Sequence, residues 1–362
     1  MRGRLGTHER IVLVRLSHLG DVLHALPVFH ALAAQRPSAR LAWVIQREYA
    51  ELVRPLARLE RVFEFDRGGG ARAWLALREE LASFAPTRVI DAQGNLKSAA
   101  AALVAGSGER LGLAWSDWRE RLGAFAMHAH AEPANGKHAV DRMLALARSA
   151  ARSAVDGEIG SDVAVSFDLE LSADEHARGR ELAIEFFGDD REPVVLTLAT
   201  PDDVRAWPEA HSIALARALA SSGRRVLVLS GPAERESGAR VERELTGVAR
   251  VRHWVGQRGL RELASLFAAV AERGGSFVGC DSGPLHLAWS SGVPVTCLAG
   301  PQDARRTGPW PLGEGSPHRA VVARERPSCA PCLSRRCDHP QGNVCMRALA
   351  VEDVLAALAR AR

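Results

Sequence analysis

The stretch RIVLVRLSHLGDVLHALPVFHAL, residues 10–32, joins a continuous apolar run to a longer apolar segment through a short turn that ends in Gly20 and Asp21. An unbroken run of Ile, Val and Leu closed by a turn reads as a strand buried on both faces, and the segment beyond reads as a helix. Strand, turn and helix make the first piece of a βαβ fold. Asp21 falls where the helix begins. An acid there can cap free amides, or it can act as a base at the carboxyl end of the first strand, where glycine lets a ligand approach. Both readings stay open at this point.

The pattern repeats outward from that stretch. Strand-like runs at 41–46, 61–66 and 87–94 alternate with helical segments, and an amphipathic helix follows at 136–150 before the polar, strand-poor residues 151–162. The alternation restarts with strands at 193–200, 224–231, 276–281 and 293–300 and helices at 208–222, 233–246, 260–274 and 282–292. The expected fold is α/β, two doubly wound Rossmann-like domains facing across a cleft. The N-terminal domain takes residues 1–165, a linker 166–190 and the C-terminal domain 191–349. A cysteine-rich tail occupies 327–346, and an amphipathic helix at 350–362 is expected to pack back on the domain junction. Ligands of open α/β sheets sit outside the carboxyl ends of the strands, so the site is expected there.

Composition sets the outer limits. With 362 residues, 47% of them hydrophobic and 25% charged, the chain is ordinary globular material with room for two cores. Its net charge of +4 comes almost wholly from arginine, since Lys97 and Lys137 are its lysines. Arginine suits phosphate and carboxylate ligands. The excess is mild and dispersed, and Tyr49 is the single tyrosine, which argues against a nucleic-acid partner. No apolar run approaches the ~20 residues of a spanning helix, and the N-terminus has the wrong flanks for a signal peptide. A cytoplasmic protein is expected.

Three further stretches carry polar residues at strand ends. In FVGCDSGPLHLAWSSGVPV, residues 277–295, a strand ends at Asp281 and a helix opens at Ser282 and Gly283. Helix-start amides of this kind hold diphosphates, Asp281 suits sugar hydroxyls, and His286 faces either ligand or core. In LATPDDVRAWPEAHS, residues 198–212, Thr200 and Arg205 lie between a strand end and a helix opened near Pro208. Arg205 could clamp a phosphate. The adjacent acids Asp202 and Asp203 are weak metal candidates. In DAQGNLKSAAAAL, residues 91–103, with WSDWRERLGAF, residues 115–125, Gln93, Lys97 and Arg119 suit an anionic second substrate or are solvated surface.

With these residues in view, the chain resembles the bacterial lipopolysaccharide heptosyltransferases, a family of GT-B glycosyltransferases. GDVLHALP (20–27) is similar to the family's N-terminal signature and DSGPLHLAWSSGVPVTCLAGP (281–301) to its donor-site signature. VIDAQGNLKSA, WRERL and KHAVDR resemble the branch that adds the first heptose. The resemblance implies an inverting transfer of L-glycero-D-manno-heptose from ADP-heptose to the Kdo of inner-core lipid A, with Asp21 as general base and no cofactor needed for catalysis. It also implies donor binding by Thr200, Arg205, Asp281, Ser282, Gly283 and His286. Acceptor binding falls to Ser17, His18, Gly20, Gln93, Lys97 and Arg119. Family members often carry lysine before the Trp-Pro pair, where this chain has Arg205.

A Kdo-lipid A acceptor implies peripheral contact with the inner leaflet of the cytoplasmic membrane. Cys329, Cys332, Cys337 and Cys345 give a C-x2-C-x4-C-x7-C spacing, read as a structural zinc or iron clip or as reduced thiols. Part of the wider family resembles this tail in holding iron. The alternatives are the same fold with another nucleotide sugar or a protein acceptor and, more remotely, a nucleic-acid-binding protein with a metal knuckle.

Overall fold

The computed structural model describes residues 9–106, 108–152, 164–256 and 259–360. The polar stretch 151–162 lies outside these, apart from its first two residues. The chain divides into two compact units after Glu170.

In the first unit, β1 (Arg10–Val14), β2 (Arg40–Gln46), β3 (Leu59–Phe65), β4 (Arg88–Asp91), β5 (Glu109–Gly112) and β6 (Ala129–His130) form one sheet. Between and after them come α1 (Leu19–Gln35), α2 (Ala50–Val53), α3 (Gly70–Phe84), α4 (Leu96–Val104) and α5 (Ala139–Arg152). Every pairing is parallel and the order is β3-β2-β1-β4-β5-β6. Central β1 is buried from Ile11 to Val14, as a strand covered on both faces must be. Helix α1 packs on α5 and buries most of its circumference, which explains its lack of a polar face.

The second unit holds α6 (Ala173–Phe187), β7 (Val194–Thr197), α7 (Glu209–Ser221), β8 (Val226–Ser230), α8 (Arg235–Glu244), β9 (Val251–Val255), α9 (Leu260–Glu272) and β10 (Ser276–Cys280). It continues through α10 (Gly283–Ser290), β11 (Val295–Leu298), α11 (Ala304–Thr307), β12 (Arg319–Val321), α12 (Val344–Arg347) and α13 (Val351–Arg360). Its all-parallel sheet runs β12-β11-β10-β7-β8-β9. Read from β9, this is the order of the first unit. Both are doubly wound sheets whose strand order reverses at one point, β1/β4 in one and β7/β10 in the other. That reversal opens a crevice at the strand ends.

One expectation needs correction. Residues 166–190 are not a plain linker, because Ser172 opens α6 with a reciprocal cap: its hydroxyl accepts from the Glu175 amide at 3.2 Å, and Glu175 accepts from the Ser172 amide at 2.8 Å. Helix α6 then packs along α9 and belongs to the second unit. The terminal helix α13 packs against α7, β11 and β12 of its own unit and puts Val354 and Leu358 into that core beside Met346 and Leu349.

Candidate functional site

The first unit's switch point is built from two short loops. At the end of β1 the backbone amides of Leu16 and Ser17 donate to Gln93 Oε1 at 2.7 and 3.3 Å, so the loop after β4 templates the loop after β1. Gln93 is itself held because Asp91 Oδ1 accepts from the Gln93 and Gly94 amides at 2.8 and 3.0 Å. Burial pushes the Asp91 carboxyl above its usual range, against those same amides. Gly94 takes φ +72°, and a Cβ there would meet Leu113 Cδ1 at 2.9 Å, so the tight turn requires glycine.

Asp21 stands over this template in the first turn of α1. Its Oδ2 accepts from the His18 amide at 3.2 Å, and its Oδ1 pairs with Arg15 Nη2 at 2.7 Å. It is thus both cap and accessible carboxylate: its side chain keeps 40% exposure while that of Arg15 keeps 9%. Arg15 was not legible as a functional residue. It is buried, ion-paired to Asp21 and bonded through Nη1 to the Ala92 carbonyl, so it ties the β4 loop to the carboxylate. The signal available in the sequence was a lone arginine at the end of an apolar strand, six residues before the acid.

The other acceptor candidates lie around this point. Ser17 is half-buried, His18 exposed, and Gly20 buried within the helix start. Lys97 is half-buried in the first turn of α4, and exposed Arg119 donates its amide to the Gly94 carbonyl at 3.0 Å.

The second unit's switch point gathers a different set. Asp281 follows β10 and is buried, with both oxygens used internally: Oδ1 meets His286 Nε2 at 2.9 Å and Oδ2 accepts from the Thr307 hydroxyl at 2.6 Å. Burial alone would raise its pKa, but the bonds from His286 and Thr307 and the charge of Arg205 hold the carboxyl below its usual range. His286 accepts at Nδ1 from the Trp289 indole at 3.1 Å, which leaves the proton on Nε2 to be donated to Asp281. His286 is buried, and each Asp281 oxygen is engaged by a side chain of its own unit.

Arg205 crosses from the loop after β7 to the end of β10. Its Nε and Nη2 are held by Asp203 at 2.8 and 2.6 Å, and its Nη1 donates to the Asp281 carbonyl. The Asp203 carboxylate raises the Arg205 pKa, and a third of the side chain stays exposed. Thr200 donates its hydroxyl to Glu234 at 2.6 Å, linking the loops after β7 and β8. Ser282 is the N-cap of α10, with Gly283 and Pro284 opening the helix. Its side chain makes no capping bond, so it stands beside the helix-start amides without occupying them.

The tail connects to this site from behind. Trp207 Nε1 donates to the Leu349 carbonyl at 2.9 Å and Asn343 Nδ2 to the Ala206 carbonyl at 3.2 Å, so residues 343–349 hold the loop that carries Arg205. Cys329, Cys332 and Cys337 are exposed while Cys345 is buried, and burial pushes its thiol up, with the other three close enough to add to the effect. Among the described residues, no group of three or more His, Cys, Asp or Glu side chains is placed to hold a metal ion.

Two all-parallel Rossmann-like units, one with an accessible carboxylate and the other with helix-start amides and an arginine at its switch point, are the architecture of the GT-B fold. The sequence model of glycosyltransferase family 9 (heptosyltransferase) matches residues 74–341, and the chain belongs to that family. It is 29% identical over 304 residues to lipopolysaccharide heptosyltransferase 1 of Escherichia coli strain K12, covering 81% of this chain and 88% of that protein. The protein of the same name from Pseudomonas aeruginosa is 29% identical over 345 residues, covering 91% of this chain and 88% of its own. Among solved structures, Escherichia coli heptosyltransferase WaaC with ADP superposes with a TM-score of 0.68 at 24% identity, covering 97% of each chain.

Proposed function

We propose that this glycosyltransferase moves L-glycero-D-manno-heptose from ADP-heptose to the Kdo of the lipopolysaccharide inner core, with inversion. The relatives' names and the family support the donor and the pathway, and the similar Escherichia coli heptosyltransferase WaaC is solved with ADP-2-deoxy-2-fluoro heptose. The observation that carries the reading is Asp21. It is a carboxylate at the carboxyl end of the central strand, oriented by Arg15 and the His18 amide, with 40% of its side chain open.

In this reading Asp21 takes the proton from the acceptor hydroxyl as that oxygen attacks the anomeric carbon. The bond to the diphosphate breaks on the opposite face, and ADP leaves with the electron pair. Helix-start amides at Ser282 and Gly283 and the guanidinium of Arg205 receive the charge that develops on the leaving group. Asp281 and His286 support these groups from below. Ser17, His18, Gly20, Gln93, Lys97 and Arg119 line the acceptor side, where cations suit the carboxylate of Kdo. An acceptor built on lipid A is reached at the inner leaflet, so the enzyme works as a peripheral protein there. No described helix is long and apolar enough to cross a membrane.

For the tail, the cysteine spacing and the mutual influence on Cys345 support a thiolate clip that closes on a metal ion only after the exposed thiols rearrange. Metal analysis of protein purified without added metal tests it. Stoichiometric zinc or iron lost in a Cys329→Ser/Cys332→Ser variant supports the clip, and free thiols in metal-free protein remove it.

The main test is ADP release from ADP-heptose with and without a Kdo-lipid A acceptor. Acceptor-dependent release supports the assignment. Turnover only with another nucleotide sugar or a protein acceptor would keep the fold and the base but replace the substrates.

A further inference from the structure

Five of the eleven large apolar side chains exposed among the described residues fall between positions 96 and 125: Leu96, Leu103, Trp115, Leu122 and Phe125. Leu122 and Phe125 are each 74% exposed, the highest values of the set. They are presented, not frayed. Both lie in a 3-10 turn, Arg121–Ala126, that packs on α4. Gly123 is buried between them, and a Cβ there would meet the Trp118 ring at 2.8 Å and Ala99 Cβ at 3.2 Å. The backbone therefore lies flat on the helix at Gly123 while its apolar neighbours face outward. The Trp115 ring braces Phe125 edge-on at 4.9 Å and packs on His130 at 5.1 Å. Leu96 and Leu103, seven residues apart on α4, stand on one exposed helix face.

The same surface is basic. Arg119 and Arg121 are exposed, and Lys97 lies in the first turn of α4. Of the nearby acids, exposed Glu120 accepts from the Leu96 amide at 2.7 Å, and Asp117 is half-buried. Aromatic and leucine side chains standing proud among arginines fit the interface of an anionic bilayer, where the apolar groups enter the acyl boundary and the cations meet headgroup phosphates. A water-exposed patch of this kind is costly without such a partner.

We propose that the turn Arg121–Ala126, with Trp115 and the outer face of α4, docks the first unit on an anionic lipid surface. This builds on the reading that the acceptor is a lipid, and the patch adjoins Gln93, Lys97 and Arg119 of the acceptor group.

The test is co-sedimentation of the full chain with vesicles free of acceptor and donor, made either of phosphatidylethanolamine with phosphatidylglycerol or of phosphatidylcholine alone. At least fivefold more protein should sediment with the anionic vesicles, and less in high salt. The L122Q/F125Q variant should lose at least fivefold of that binding, with an unchanged melting temperature and an unchanged rate on a soluble, lipid-free acceptor. R121E should also bind less. Equal binding to anionic and neutral vesicles, or wild-type binding by L122Q/F125Q and R121E, would overturn the proposal. A concentration-dependent dimer that L122Q/F125Q abolishes would assign the surface to a second copy instead. Because the vesicles carry no substrate, failure of the heptose assignment would show in the ADP assay and leave this result standing.

Discussion

Two aspartates stand at the switch points of two sheets of the same strand order, one after the inner strand β1 and one after the strand across the reversal, β10, and the chain uses them oppositely. Asp21 follows β1 at one switch point. It keeps an open face, with one oxygen on Arg15 and the other on a backbone amide. Asp281 follows β10 at the other. It is buried, with each oxygen committed to a side chain, His286 and Thr307. An acid with an open face can take a proton from a substrate. An acid buried among the side chains it bonds holds its neighbours in place. Strand-end position therefore nominates a residue, and its burial separates the two jobs.

The contrast is broken most directly at Asp21. Asp21→Ala should cut kcat by about 10²- to 10⁴-fold, the usual contribution of a positioned base, while the melting temperature moves little. Near-native turnover by a folded variant would mean the proton goes elsewhere. Asp281→Ala should do the reverse first. It removes the carboxylate that both His286 Nε2 and the Thr307 hydroxyl bond to, and the second unit should lose about 3–5 kcal/mol. Denaturant unfolding measures this, and a loss below about 1 kcal/mol would show that the buried network is not what holds the strand end.

How far these roles could be read in advance follows from the physics of each signal. Buried central strands such as β1, β7 and β10 announce themselves as apolar runs, so both sheets and their switch points were legible, and with them Asp21, Asp281 and Arg205 as candidates. Strands β5, β6, β9 and β12, at or next to the sheet edges, escape a reading of the sequence because they are short or carry charge: ERLG, AH, VRHWV and RAV give no continuous run. Helix α6 lies within the expected linker, although S-x-x-E at 172–175 is a capping signature. Arg15 and the commitment of Asp281 to His286 depend on contacts between distant loops or on side-chain direction. No spacing rule reports those.

Acid separates the two units further. Burial lowers the His318 pKa to about 4, so the folded state binds fewer protons than the unfolded one between there and the ordinary histidine value near 6.5. Stability from this group is complete above about pH 6.5 and is lost as pH falls toward 4, by up to about 3 kcal/mol. Asp91 has the opposite sign. Its carboxyl is raised by burial, so its contribution is present in acid and lost as pH rises through the folded pKa. Calorimetry at pH 6.5 and 4.5 should show the second unit weakening on acidification, less so in His318→Asn. An unchanged pH response in that variant would assign the loss to other groups.

The smallest effect tests what distinguishes the working aspartate from the structural one. If Arg15 aims the Asp21 carboxylate, Arg15→Met should lower kcat about tenfold, roughly 1.4 kcal/mol of transition-state stabilisation, with the KM for donor unchanged. Arg15→Lys keeps the charge but not the fork that also reaches the Ala92 carbonyl, and should recover part of the rate. The combined Arg15→Met/Asp21→Ala variant should be no slower than Asp21→Ala alone, since a residue acting only through the carboxylate has nothing left to position. Additive losses would mean that Arg15 touches the substrate itself. The open carboxylate would then be one half of a two-residue acceptor site, with its own charge pair facing the incoming sugar.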